Sequence, residues 1–358
     1  MLKAIELPTS IEYITSQCFE DCVNLIDITL HAKKIYNNAF KNCTSLTTIN
    51  LPQNLETIGS DAFRGCTNLL EFSIPSSVTD ISPSILWDCP NLNKLSIGNG
   101  LTGLPHYHPQ YSSGCSTLGS YYYRRGDESN KTYLQGLKKV IIEDSDTPFS
   151  IKGFIVNDSL IPAFANIDLE YFYVGRPLKD IDYKDYIGQS IFYIRWQQGR
   201  GHITTLEIAG GCNYNHYFYQ RVDTLILGAN INLFIPNNVY ANDLKKVVCL
   251  STVPPNIQDD EDMAFPTNVY VDAVLYVPTG CKNAYSSAVG WRNFWNIEEI
   301  DKPTHIELQS VDADNYSVDV YSIQGTLIKK NIYLYDLGEL PKGLYIIVSG
   351  KGSKKIVI

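Results

Sequence analysis

One cysteine-centred phrase returns four times at nearly constant spacing. It reads Phe19-Glu20-Asp21-Cys22-Val23-Asn24-Leu25, then Phe40-Lys41-Asn42-Cys43-Thr44-Ser45-Leu46. It returns as Phe63-Arg64-Gly65-Cys66-Thr67-Asn68-Leu69 and as Leu86-Trp87-Asp88-Cys89-Pro90-Asn91-Leu92. The cysteines step by 21, 23 and 23 residues. A unit this short cannot bury its own apolar side. It must stack on its neighbours, which makes the chain a solenoid and biases its role towards binding.

A single repeat shows what each coil contains. Leu69-Leu70-Glu71-Phe72-Ser73-Ile74 alternates with period two and reads as a short strand. Pro75 ends it, because proline cannot continue a paired ladder. In Ala62-Phe63-Arg64-Gly65-Cys66 the apolar residues lie three and four apart, which predicts one or two helical turns. The strand frame recurs at Leu25/Ile28/Leu30, Leu46/Ile49/Leu51 and Leu92/Leu95/Ile97. Later copies lie at Leu118/Tyr121/Tyr123, Leu137/Val140/Ile142, Leu169/Phe172/Val174 and Ile203/Leu206/Ile208. The last are Val222/Leu225/Leu227, Leu244/Val247/Cys249 and a weak Asp272/Leu275/Val277. Ile191 to Ile194 matches the second apolar pair of a coil, Leu55 and Ile58. Residues 1–300 are therefore expected to form one solenoid, irregular from about 103 to 136. There a coil with a projecting loop is expected, carrying His106-Tyr107-His108 and Tyr121-Tyr122-Tyr123-Arg124-Arg125.

Asp301-Lys302-Pro303-Thr304 reads as a linker. Beyond it come Ser317–Tyr321, Thr326–Ile328, Tyr333–Tyr335, Gly343–Val348 and Lys355–Ile358, with Ser349-Gly350-Lys351-Gly352 as a hairpin turn. Residues 301–358 are expected to form a small all-β, sandwich-like module. With 44% hydrophobic and 19% charged residues the chain is a folded one. A net charge of -9 weighs against nucleic acid, whose binding needs a basic footprint, and against simple adsorption on anionic lipid, so neither is expected as a partner. No apolar run is long enough for a membrane-spanning helix. Met-Leu-Lys-Ala is no signal peptide, and since the first repeat begins by Leu7, a leader upstream of Met1 is expected.

The nine cysteines lack paired Cys-x-x-Cys or Cys/His spacing, so no metal site is expected. Cys22, Cys43, Cys66 and Cys89 are expected to form a ladder of buried thiols, with Cys18 a small core residue where later repeats place Ala39 and Ala62. His106-x-His108 is a loop feature rather than a zinc pair, and Asp259-Asp260-Glu261-Asp262 lacks the alternation of a calcium loop. Nucleophile-elbow, zinc-protease and phosphate-loop motifs are absent, so no catalytic residue and no cofactor is assigned.

The repeat, with its proline after the strand and its Ala-Phe-x-x-Cys-x-x-Leu core, resembles the BspA-like leucine-rich repeats. The likeness is tight for residues 7–97 and returns at Val248–Pro255, Ala273–Pro278 and Ala284–Ile297. The tail, Val320–Leu327 with Leu340–Ile347, is similar to sorting modules of type IX secretion, except that Thr326 stands where a basic residue is common. The resemblance implies a leucine-rich repeat solenoid of short parallel strands and short helical segments. It implies a secreted or outer-membrane-surface protein of gut or oral anaerobic bacteria, extracellular and without enzymatic activity. Its expected partner is a host protein or glycan bound in an adhesin-like manner by a monomer. Two other readings stay open: a structural spacer or assembly protein presenting another module, and a polysaccharide hydrolase.

In such a sheet the residues between the leucine positions face out, on the concave side. They are Asp27/Thr29, Thr48/Asn50, Glu71/Ser73 and Lys94/Ser96, then Ser120/Tyr122, Lys139/Ile141, Tyr171/Tyr173, Thr205/Glu207, Thr224/Ile226, Lys246/Val248 and Val274/Tyr276. Small polar groups give way to aromatic residues and lysine. Such a change suits a recognition surface. The candidate binding residues are Tyr122, Lys139, Tyr171 and Tyr173, followed by Tyr107, Tyr111, Arg124 and Arg125 of the loop.

Overall fold

The computed structural model describes residues 2–82, 84–104, 113–115, 121–124, 131–132, 134–151, 154–156, 159–161, 167–179, 202–212, 221–231, 233–234, 244–257, 265–301, 317–322, 326–333, 344–349 and 352–357. Two compact units divide the chain, Met1–Glu299 and Ile300–Ile358.

In the first unit, the leucine frame builds a long sheet. Its order is Glu71–Ile74, Lys94–Ile97, Lys139–Ile142, Leu169–Val174, His202–Ile208, Arg221–Leu227, Lys246–Cys249, Val274–Pro278 and Asn296–Ile300. The first eight strands pair in parallel. Phe72 lies beside Leu95, Leu95 beside Val140, Val140 beside Phe172, and Phe172 beside Leu206. All of these are buried, so one apolar row runs through the unit. Each early coil adds a two-residue strand: Tyr13–Ile14, Lys34–Ile35, Thr57–Ile58 and Asp80–Ile81 form a second parallel sheet. Ile14, Ile35, Ile58 and Ile81 close the same core from that side.

The Phe-x-x-Cys segments are turns rather than the expected helical turns. Backbone N–H groups alternate between two kinds of partner. Those of Cys18, Glu20 and Cys22 donate three residues back, to Thr15, Gln17 and Phe19. Those of Gln17, Phe19 and Asp21 donate to the next coil, at Asn37, Ala39 and Lys41. Turning every second N–H outward needs left-handed residues, and Gln17, Asp21, Asn38, Asn42, Asp61, Gly65 and Asp88 all have φ between 56° and 73°. Asp, Asn and Gly tolerate that region best. An α-helix would satisfy its N–H groups internally and leave nothing to join the coils.

Between the strands, Phe19, Phe40 and Phe63 stack with ring centroids 5.2 Å apart. Cys43 Sγ donates to the Phe19 carbonyl at 3.2 Å, Cys66 Sγ to Phe40 at 3.2 Å and Cys89 Sγ to Phe63 at 3.2 Å. Burial pushes the Cys43 and Cys89 thiols up to about 12 and the Cys66 thiol well above its usual value. They are protonated packing groups. Cys18 does not join them: it is exposed and Cys22 is half-buried, because no described coil covers that side of the first turn.

The frame at Leu118/Tyr121/Tyr123 is not a coil of the long sheet. Lys94–Ile97 pairs directly with Lys139–Ile142. Tyr121–Arg124 instead lies antiparallel between Ser113–Cys115 and Lys131–Thr132, in a separate three-stranded sheet. Its aromatic alternation fits either pairing mode, and the direction of the partner strands decided the outcome. A second antiparallel hairpin, Phe154–Val156 with Ser159–Ile161, follows.

The last coil is aromatic. Trp291 and Tyr285 are buried, with rings 5.4 Å apart, and Phe265 and Phe294 pack against them. Trp291 Nε1 donates to the Pro255 carbonyl at 2.8 Å, and Tyr285 Oη to the Ser251 carbonyl at 2.7 Å. The described part of the second unit is one antiparallel sheet, ordered Leu327–Tyr333, Ser317–Ser322, Leu344–Ser349 and Gly352–Val357.

Candidate binding face on the long sheet

Strand alternation sends two rows of side chains out of the long sheet. Register fixes the first as Glu71, Lys94, Lys139, Tyr171, Thr205, Thr224, Lys246 and Val274. The second is Ser73, Ser96, Ile141, Tyr173, Glu207, Ile226, Val248 and Tyr276. Lys139 and Tyr171 are therefore neighbours, as the spacing of the sequence suggested.

Outward direction and exposure part company along these rows. Asp27, Thr29, Thr48, Asn50 and Ser73 of the early coils are exposed. Tyr173, by contrast, is 3% exposed, Glu207 5% and Lys94 6%. The expectation that Tyr173 presents an open ring is corrected: it points out of the sheet and is nevertheless buried. Its hydroxyl donates to Asp144 Oδ1 at 2.6 Å. Tyr171 is half-buried, and its hydroxyl donates to Glu207 Oε2 at 2.5 Å. Burial, reinforced by the facing carboxylates, pushes both phenols up, so they remain donors. Burial also pushes Asp144 up, and the Tyr173 hydrogen bond opposes that. Lys94 Nζ sits 3.7 Å from Glu71 Oε2.

In the turn after Leu169–Val174 lies Arg176, fully buried. Its guanidinium donates to the carbonyls of Asn99, Leu101 and Gly98 at 3.0, 2.8 and 3.1 Å. It rests 4.3 Å over the Phe149 ring, and burial draws it down to about 10. Gly175 permits the approach, since a Cβ there would lie 2.5 Å from Asp144 Oδ1 and 2.6 Å from the Ile142 carbonyl. Arg176 thus ties the turn after one strand to the turn two strands earlier.

Four groups of the first row have neither an ion-pair nor a hydrogen-bond partner among the described residues. Lys139, Thr205 and Thr224 are half-buried and Lys246 is exposed. Among the described residues no carboxylate pairs with Lys139 or Lys246, and the two threonine hydroxyls have no hydrogen-bond partner. Lys246 Nζ lies 4.7 Å over the Tyr276 ring. To the side, Asp223 gathers His202 at 3.2 Å and Lys245 at 3.5 Å.

Of the residues singled out in the sequence, the structure brings Lys139, Tyr171 and Tyr173 together. Tyr122 and Arg124 lie on the separate antiparallel strand and do not share their sheet. Tyr107, Tyr111, Arg125, His106, His108, the Ile191–Ile194 pair and the acidic run from Asp259 lie outside the described residues. Asp144 and Arg176 were missed. Both follow their strands, where period-two patterning no longer reports a side chain's environment. Among the described residues no helix is long and apolar enough to cross a membrane, and no group of three His, Cys, Asp or Glu could hold a metal.

Residues 1–116 match the BspA type leucine rich repeat region, in six copies. No curated protein matches the chain. Among solved structures, a leucine rich repeat protein of T. pallidum is 32% identical over 28% of this chain and 48% of its own, with a TM-score of 0.28. This chain thus spans about half the length of that protein. A leucine-rich repeat protein from Bacteroides ovatus ATCC 8483 is 15% identical over 84% of each chain, with a TM-score of 0.31. A leucine rich cell surface protein from Faecalibacterium prausnitzii A2-165 is 16% identical over 87% of this chain and 90% of its own, with a TM-score of 0.34. The chain is a strand-rich leucine-rich repeat solenoid followed by an all-β part, and its first 116 residues match the BspA type of repeat.

Proposed function

We propose that this chain is a non-enzymatic surface or secreted binding protein, adhesin-like, which engages a host protein or glycan through the outward face of its long sheet. The observation that carries this reading is the open first row, where Lys139, Thr205, Thr224 and Lys246 offer donors that no described residue uses. Polar groups of a packed sheet are ordinarily satisfied by the protein or by water, and a row left open is available to a ligand. The BspA-type repeats of residues 1–116 support the same class of role. Residues 301–358 act as a separate module, and their likeness to sorting domains makes them the export signal to the bacterial surface.

Arrays of glycans and extracellular-matrix proteins probed with the purified chain test the reading. At least one ligand should bind. A Thr205→Trp variant, which places a bulky neutral group mid-row, should lose it with an unchanged melting temperature. Binding that survives this variant removes the face from consideration, and an empty array removes the binding role. Replacing Tyr171 and Tyr173 together by alanine would not serve, since Tyr173 is buried and its loss would unfold the region. Deleting residues 301–358 should leave the protein in the periplasm, whereas unchanged surface display would sink the sorting role.

A further inference from the structure

We propose that the first row, from Lys139 to Lys246, is a linear site for an acidic polysaccharide, whose carboxylate or sulfate groups pair with the two lysines while its hydroxyls take Thr205 and Thr224. The proposal rests on the outward face being the binding surface, and it adds the chemical class of the ligand.

The row's composition selects for negative charge. The chain as a whole carries -9, so a generally basic surface does not explain these lysines. Along the register the first row holds three lysines, Lys94, Lys139 and Lys246, against a single carboxylate, Glu71. That carboxylate is already beside Lys94. The nearest acid of the second row, Glu207, is buried and accepts the Tyr171 hydroxyl. Among the described residues Lys139 has no carboxylate within ion-pair distance, and Lys246 lies over the Tyr276 ring without an acidic partner.

Geometry makes the site linear. Four strand steps separate Lys139 from Lys246, through Tyr171, Thr205 and Thr224. At about 4.8 Å per step the backbones at Lys139 and Lys246 stand roughly 19 Å apart. The groups between them are a half-buried phenol and two hydroxyls that donate or accept. A polyhydroxyl chain lying across the strands can use every one of them. A peptide ligand of a sheet would instead seek an open strand edge or pockets for alternate side chains. In this row each strand is already paired on both sides, and the adjoining second-row residues Ile141 and Ile226 are only half-buried rather than forming a cleft.

The test measures binding of the full chain to heparin, hyaluronan, dextran and polyglutamate by calorimetry, with Lys139→Gln, Lys246→Gln and the double variant. Heparin or hyaluronan should bind, and dextran should not. Each single variant should weaken binding about tenfold and the double about a hundredfold, with Lys139→Arg restoring it. A preference for heparin identifies sulfate as the anchoring group, and equal binding of hyaluronan identifies carboxylate; both support the site. Polyglutamate binding as tightly as either glycan assigns the row to acidic peptides and overturns the proposal. So does a glycan whose binding the double variant leaves unchanged. If that same glycan is lost with Thr205→Trp, the face remains the binding surface and only its acidic ligand is wrong.

Discussion

The early coils and the middle coils follow one leucine frame, and meet in one sheet from Glu71 on, yet they are held together differently. Through Cys89, identical residues stack on identical residues: phenylalanine on phenylalanine, each thiol under the preceding carbonyl, each left-handed Asp, Asn or Gly in line. Of their outward residues, Asp27, Thr29, Thr48, Asn50 and Ser73 are exposed, while Glu71 is half-buried beside Lys94. From Lys139 to Cys249 the stacked turns lose their repeat, and polar groups unique to one coil take over. The lesson is that a repeat can be stabilised either by sameness, which leaves the outer face free of structural duty, or by individual bonds, which draw outer residues into the structure. The open row survives in the second region because only some of its residues are so employed.

The sharpest way to break the comparison is Phe40→Ala. It empties the centre of the phenylalanine stack, where the side chain is fully buried. We expect a loss of about 3–5 kcal/mol in denaturant unfolding. Repeat arrays are coupled chiefly to nearest neighbours, so the early coils should then unfold before the middle ones, giving two transitions. A single transition would show that the regions are one cooperative body. Arg176→Met acts on the other region. It removes three charge-assisted bonds to Gly98, Asn99 and Leu101 while keeping much of the side-chain volume. A loss of about 2–3 kcal/mol is expected, with the early coils unaffected by hydrogen exchange. An effect confined to residues before Cys89 would reverse the assignment.

The smallest effect is one of pH. Lysine hydrogen bonds hold Glu12 and Glu20 below the usual carboxylate value, through Lys33 and Lys41. The folded value lies under the unfolded one. Their contribution is thus present above the unfolded value and is lost as pH falls through the folded value. Asp144 has the opposite sign, since burial raises it, and its contribution is lost as pH rises through its folded value. Melting temperature should therefore fall slightly on acidification in the wild type. An Asp144→Asn variant should be a little more stable than the wild type above the folded value of Asp144, with the difference fading as pH drops. A variant difference that grows on acidification would contradict this sign.

Much of the scaffold was legible. Leucine spacing identified inward residues in the first eight strands of the long sheet, because inward apolar residues must recur wherever coils stack, but gave no frame for Asn296–Ile300. The turn geometry was legible too, though it was read as helical: the residue before each cysteine is Asp21, Asn42, Gly65 or Asp88, a series suited to left-handed backbone. The detour at Tyr121–Arg124 was not legible. Its aromatic alternation satisfies parallel and antiparallel pairing equally, and only distant partners choose between them.

The sequence by itself determined which side chains point in and which point out, since the pleat of a strand is a property of neighbouring residues. Only the tertiary structure decided which outward residues remain open. Tyr173 and Lys139 face out on neighbouring strands, yet one is buried on Asp144 and the other is a half-buried cation with no acidic partner among the described residues. Direction is local, whereas burial and pairing depend on every chain segment that comes near, and no single repeat carries that information.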